Sequence, residues 1–139
     1  MELKLNELKR AVAALQRAIE ITQKIEANPA AEPAEKETLR AGVIQAFEFS
    51  YELCWKMLKR WLEINVSPDI VAGIVRVELF RRGAENLLID DVLKWLEFHE
   101  ARNKTSHLYA IKTAEAVYQK AVEFLPYAQA LLERLEKRR

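Results

Sequence analysis

Arg102-Asn103-Lys104-Thr105-Ser106-His107-Leu108-Tyr109 gathers an arginine, a histidine and a tyrosine within eight residues of a chain that has only two histidines. These side chains have complementary uses around a phosphodiester. Histidine titrates near neutrality and can carry a proton to or from a ribose hydroxyl or a leaving oxygen. Arginine holds a phosphate, and the charge that gathers on it, with a planar fork. Asn103 adds donors and an acceptor, and Tyr109 supplies a hydroxyl that can bond phosphate or itself be modified.

A lone histidine at a helix end is most often structural, so on chemistry alone a phosphodiester site and a structural helix end stand level. Helix geometry sharpens the choice. At about 100° per residue, Arg102 and His107 lie about 140° apart on one continuous helix, whereas Asn103 shares a face with His107 and, one turn back, with His99. Arg102 and His107 therefore converge only if the helix ends between them or a second subunit completes the site. Other chemistries find no support. The histidines, the single Cys54 and the scattered carboxylates show no zinc spacing, and no metal or other cofactor is expected. No nucleophile elbow surrounds Ser50, Ser67 or Ser106, and no phosphate-binding glycine loop is present.

The elements that must position this stretch read as helices throughout. A first helix spans about Leu3 to Ala27, with Leu8, Val12, Leu15 and Ile19 at four-three-four spacing as an apolar seam. Asn28-Pro29 ends it, and a short Ala/Pro connector follows. A second helix spans about Ala34 to Ile64, burying Leu39, Val43, Phe47, Leu53 or Cys54, Met57 and Trp61. Its aromatic interval, Phe47 to Trp61, marks a central helix or a subunit interface. Beside it Glu48, Glu52 and Lys56 form a polar stripe that reads as a solvated face. After a turn at residues 65–69, with Ser67 or Asp69 as cap, a third helix covers about Pro68 to Arg82, with Ile70, Ile74, Val77 and Phe80 inward and Gly83 as its C-terminal cap. Arg76, Arg81 and Arg82 give it basic character, usually solvated but usable by a phosphate. Asp90-Asp91 opens a fourth helix carrying Val92, Trp95, Leu96 and His99 into the opening stretch. A last helix runs from about Thr113 to Glu136 on Val117, Ala121, Phe124, Ala128, Leu131 and Leu135, with a kink or brief break expected at Pro126. The fold class is all-α: one domain over residues 1–139, a bundle of about five helices around a four-helix up-and-down core.

Composition agrees. Three glycines and four prolines in 139 residues favour long helices. Lys plus Arg number 22 against 21 Asp plus Glu, a formal charge of +1, which argues against a general DNA binder while leaving room for a local phosphate site. Cys54 reads as a small buried apolar residue. A charged N-terminus and the lack of a long apolar run predict a soluble, cytoplasmic protein with no membrane partner.

The pattern Arg102-x-x-x-x-His107-x-Tyr109, with polar Asn103 after the arginine, resembles the HEPN superfamily and, more closely, its HepT-like, nucleotidyltransferase substrate-binding branch. Phe47-Glu48-Phe49-Ser50-Tyr51-Glu52-Leu53-Cys54-Trp55-Lys56 and the stretch from Leu88-Ile89 to Trp95-Leu96 share the likeness, which thus covers most of the chain from the second helix to Tyr109. The resemblance implies a helical bundle that forms a homodimer and pairs with a small nucleotidyltransferase. Within a toxin-antitoxin pair it implies a metal-independent RNA endonuclease, with Arg102 and His107 from two subunits forming one cleft and Asn103 assisting. The nucleotidyltransferase would act as antitoxin, silencing the ribonuclease by AMPylation of Tyr109. The alternative it implies is a non-catalytic subunit that holds substrate for the nucleotidyltransferase. Ala110 follows the tyrosine where many relatives carry aspartate, a departure that bears on how a partner handles Tyr109.

Overall fold

A computed structural model describes residues 3–108 and 110–139, with only the backbone of His107. Among these residues there are six α-helices, one 3-10 turn and no strand. Helix α1 (Asn6–Glu26) buries Leu8, Val12, Leu15, Ile19 and Thr22, the seam its spacing predicts. The Thr22 hydroxyl is satisfied by donating to the Ala18 carbonyl at 2.7 Å. Helix α2 (Pro33–Asn65) begins on proline, whose missing N–H costs nothing in a first turn. It is the central helix, packing against α1 and against α6 (Ile111–Arg138), and also touching α3 (Pro68–Val71), α4 (Arg76–Glu85) and α5 (Val92–Asn103). Cys54 rather than Leu53 is its buried residue. Leu39 and Met57 are half-buried while Ile44, Tyr51, Leu58 and Leu62 take core positions.

The expected third helix is two helices. Ser67 caps α3, its hydroxyl accepting from the Asp69 N–H at 3.2 Å. Ala72 is then extended and Gly73 has φ +65°, a left-handed conformation that no continuing helix adopts. The break resets the register, so Val71, Leu79 and Phe80 are buried whereas Ile70, Ile74 and Val77 are half-buried. Gly83 is not the cap. It lies inside α4, where an added Cβ would come 3.0 Å from Leu58 Cδ2, so it permits close packing of α4 on α2. The helix closes two residues later: Leu88 N–H bonds the Gly83 carbonyl at 2.9 Å and Leu87 N–H bonds Ala84 at 3.0 Å, with Leu87 at φ 62°. This is a Schellman end with leucine in the place glycine usually fills.

Asp91 caps α5 by accepting from the Lys94 N–H at 3.1 Å. Its core face is Trp95, Phe98 and Ala101, with Val92, Leu96 and His99 half-buried. Helix α6 runs unbroken across Pro126. Proline has no N–H to donate to the Val122 carbonyl, yet packing in the bundle on both sides holds the helix through it. Phe124 of α6 stands at the centre of the core, its ring edge-on to Phe98 at 5.1 Å, Phe47 at 5.3 Å and Trp95 at 5.4 Å. These contacts lock α2, α5 and α6 together around the polar end of α5. Among the described residues no helix is long and apolar enough to cross a membrane.

Candidate functional site

The helix that delivers Arg102 does end between Arg102 and His107. α5 stops at Asn103, and a 3-10 turn (Lys104–His107) follows. Thr105 ties the turn to the arginine. Its hydroxyl donates to the Arg102 carbonyl at 2.8 Å and accepts from Arg102 Nη1 at 2.9 Å. Tyr109 and the side chain of His107 lie outside the described residues.

The guanidinium of Arg102 leans against α2. Glu48 Oε2 is 3.6 Å from its Nη1, and Glu52 Oε1 is 3.4 Å from its Nε. The Nε is buried and too poorly aligned with Glu52 for a hydrogen bond, so the contact is ionic only. The Glu48 and Glu52 stripe is therefore not the solvated face its spacing predicts, because α5 ends over it and brings in a cation. Glu52 also accepts from Trp55 Nε1 at 3.1 Å, which fixes its carboxylate. Long contacts of this kind hold Arg102 in place yet leave its donors available to a better-aligned oxyanion.

A second group of residues stands beside it. The Tyr51 hydroxyl, on a residue with no exposed surface, lies 2.8 Å from His99 Nδ1. Nε2 of the same ring is 3.5 Å from the Asn103 amide nitrogen. An amide N–H donating to Nε2 requires the ring proton on Nδ1, donated to the tyrosine oxygen, so the three side chains define one tautomer. Burial, then the positive charge of Arg76, hold the His99 pKa below its ordinary value; Glu52 pulls the other way, and Arg102 adds a smaller lowering. Burial likewise pushes the Tyr51 phenol far up, against a weaker opposing pull from Arg76. Both groups are neutral near pH 7.

Sequence reasoning put His99 and Asn103 on one face but gave neither His99 nor Tyr51 a part in the site. The i, i+4 spacing of residues 99 and 103 was a usable signal; Tyr51, 48 residues before His99 on another helix, left none. Arg81 and Arg82 pair with Glu78 and Glu85 as solvated residues do. Arg76 instead lies over the Trp55 ring, 3.3 Å from its centre. Cys54 is buried and its thiol pKa is pushed far up by desolvation, consistent with a packing role.

This helical bundle matches the family described as "Nucleotidyltransferase substrate binding protein like". That family matches residues 3–137, and the chain belongs to it. A "Probable ribonuclease HepT" of Haemophilus influenzae is 39% identical over 104 residues, covering 74% of this chain and 71% of that protein. A solved Haemophilus influenzae structure, described as the fold of a substrate binding domain of a nucleotidyltransferase, superposes with a TM-score of 0.84 at 34% identity, covering 96% of this chain and 99% of that one. A Thermus thermophilus structure at 22% identity shares the fold, with a TM-score of 0.62 over 90% of this chain and 99% of that one. The resemblance read from the sequence thus holds.

Proposed function

We propose that this chain is the HEPN-type partner of a small nucleotidyltransferase and acts as a metal-independent RNA endonuclease, the toxin of a toxin-antitoxin pair. Arg102 stabilises the charge on the scissile phosphate, His107 transfers the proton, Asn103 assists, and Tyr109 accepts AMP from the partner, which silences the cleft. The observation that carries this reading is the end of α5 between Arg102 and His107, with the arginine held by long ionic contacts that a phosphate can replace. The likeness to a protein named as a ribonuclease supports it. A homodimer in which two such clefts face each other is part of the proposal; Phe49, 61% exposed on the central helix beside Glu48, suits that contact.

The purified chain should cleave RNA in the presence of a chelator, and His107→Ala should lower the rate by about 10²- to 10⁴-fold. An unchanged rate in His107→Ala would sink the assignment. Intact-mass measurement after incubation with the nucleotidyltransferase and ATP should show AMP on Tyr109 and none on Tyr109→Phe.

The second reading is a non-catalytic substrate-binding subunit. A cleft of about 540 Å³ between the starts of α2 and α6 favours it, with Ile44, Leu108 and Ile111 as apolar walls and both signs of charge, Lys36 and Arg40 beside Glu26, Glu37 and Glu115. It predicts no RNA cleavage and no growth arrest when the chain is expressed alone.

A further inference from the structure

Arg76 differs from the other arginines of α4. Arg81 and Arg82 reach carboxylates one turn away, whereas Arg76 forms no ion pair among the described residues. Its guanidinium sits over Trp55, 3.3 Å from the ring centre, and meets the neutral Tyr51 phenol, but its Nε is buried without a hydrogen-bond acceptor and no carboxylate among the described residues answers its charge. Its place in the helix compounds the mismatch, because it opens α4, where the positive end of the helix dipole disfavours a cation. Local rules broken together at one residue are commonest at functional sites. What would relieve this residue is an anion with acceptor oxygens.

Trp55 connects Arg76 to the site already described. Its Nε1 donates to Glu52 Oε2, and the other oxygen of Glu52 faces Arg102. The two guanidinium groups thus flank one tryptophan–glutamate pair, and both act electrostatically on His99. Stacking on a ring also restricts Arg76 before any ligand arrives, so little side-chain freedom is lost on binding.

We propose that Arg76, immobilised on Trp55, is a second phosphate-binding arginine, taking a phosphodiester adjacent to the one held at Arg102 so that single-stranded RNA is gripped at two points. This inference rests on the ribonuclease reading. It gives the basic start of α4 a task of its own: Arg76 sets affinity for the strand, and Arg102 stabilises the reacting phosphate.

The test is fluorescence anisotropy with a short single-stranded RNA, on full-length chain carrying His107→Ala to prevent cleavage, across a series of salt concentrations. Arg76→Gln should weaken binding about tenfold and remove about 0.7 from the slope of log affinity against log salt, the share of one single-strand phosphate. Arg76→Lys should restore the slope but not the full affinity, since an ammonium lacks the fork. Trp55→Leu should weaken binding with the slope kept, and Arg81→Gln should match the parent. In the cleaving protein Arg76→Gln should raise KM with kcat nearly unchanged, which a merely structural role would not do. Thermal melts check folding, and Arg76→Lys carries the comparison if the glutamine variant does not fold. Parent-like affinity and slope in both Arg76 variants, with Arg102→Gln weakened, would overturn the proposal and leave the ribonuclease reading standing. If the parent itself binds no RNA, both fall.

Discussion

The two ends of α5 carry charged clusters of opposite character. At its start, Lys94 and Glu97 meet Lys120 and Glu123 of α6. Lys94 contacts Glu123, and Lys120 contacts both Glu97 and Glu123. Two cations face two carboxylates in close contact at the edge of solvent, and every charge is answered within the group. At its end, Arg102 meets Glu48 and Glu52 only at 3.4–3.6 Å, Arg76 meets no acid among the described residues, and a neutral histidine feels the charge of both arginines. The same helix therefore has a closed ion-pair network, which only helps to hold α5 on α6, and an open one, which has bonding capacity left over. Unmet capacity, more than charge count, separates a binding site from a structural contact.

Substitutions at the two ends should separate accordingly. The largest effect is expected at Arg102: Arg102→Gln should lower RNA cleavage by about 10²- to 10³-fold, as loss of a charge-stabilising donor does, while Glu123→Gln leaves the rate unchanged. Equal losses in both would erase the distinction. Next is Tyr51→Phe. It removes the hydroxyl facing His99 Nδ1 inside the protein and should cost about 1–3 kcal/mol in urea unfolding, because a ring nitrogen is left without its partner.

His99 gives a pH test. Its folded pKa is depressed, so on acidification the unfolded chain takes up a proton first and stability falls as pH drops through the ordinary histidine range. The melting temperature should decline there and level off once the folded pKa is passed; His99→Gln should flatten that decline. A rise in stability on acidification would mean that His99 is protonated and paired. The smallest effect belongs to the closed network. Lys120→Gln should cost at most about 1 kcal/mol, less as salt is raised, because its partners are about a third exposed.

How legible these features were depends on the range of the interactions that make them. The seams of α1 and α6 were largely read, because burial repeats every three to four positions along one helix, although Tyr118 and Leu132 are also buried on α6. The caps were local too: Ser67 is one of the two candidates read there, and Asp91 one of the two acids at the start of α5. The break at Gly73 was missed, since a lone glycine in an apolar run does not announce a left-handed residue. Gly83 was assigned a cap because the sequence cannot show Leu58 pressing on it from another helix. The stripe of Glu48 and Glu52 looked solvated for the same reason.

By itself, the sequence determined that this chain is helical and where most of its helices run, and it pointed to Arg102, Asn103, His107 and Tyr109 as candidates for chemistry. Those properties follow from residue type and near-neighbour spacing. Only the tertiary structure decided that α5 gives way to a 3-10 turn after Asn103, that Glu48 and Glu52 hold Arg102, that Tyr51 fixes His99, and that Arg76 is stacked on Trp55 rather than paired with a carboxylate. Each of these depends on where separate stretches of chain meet, and packing around Phe124 brings them there from positions dozens of residues apart.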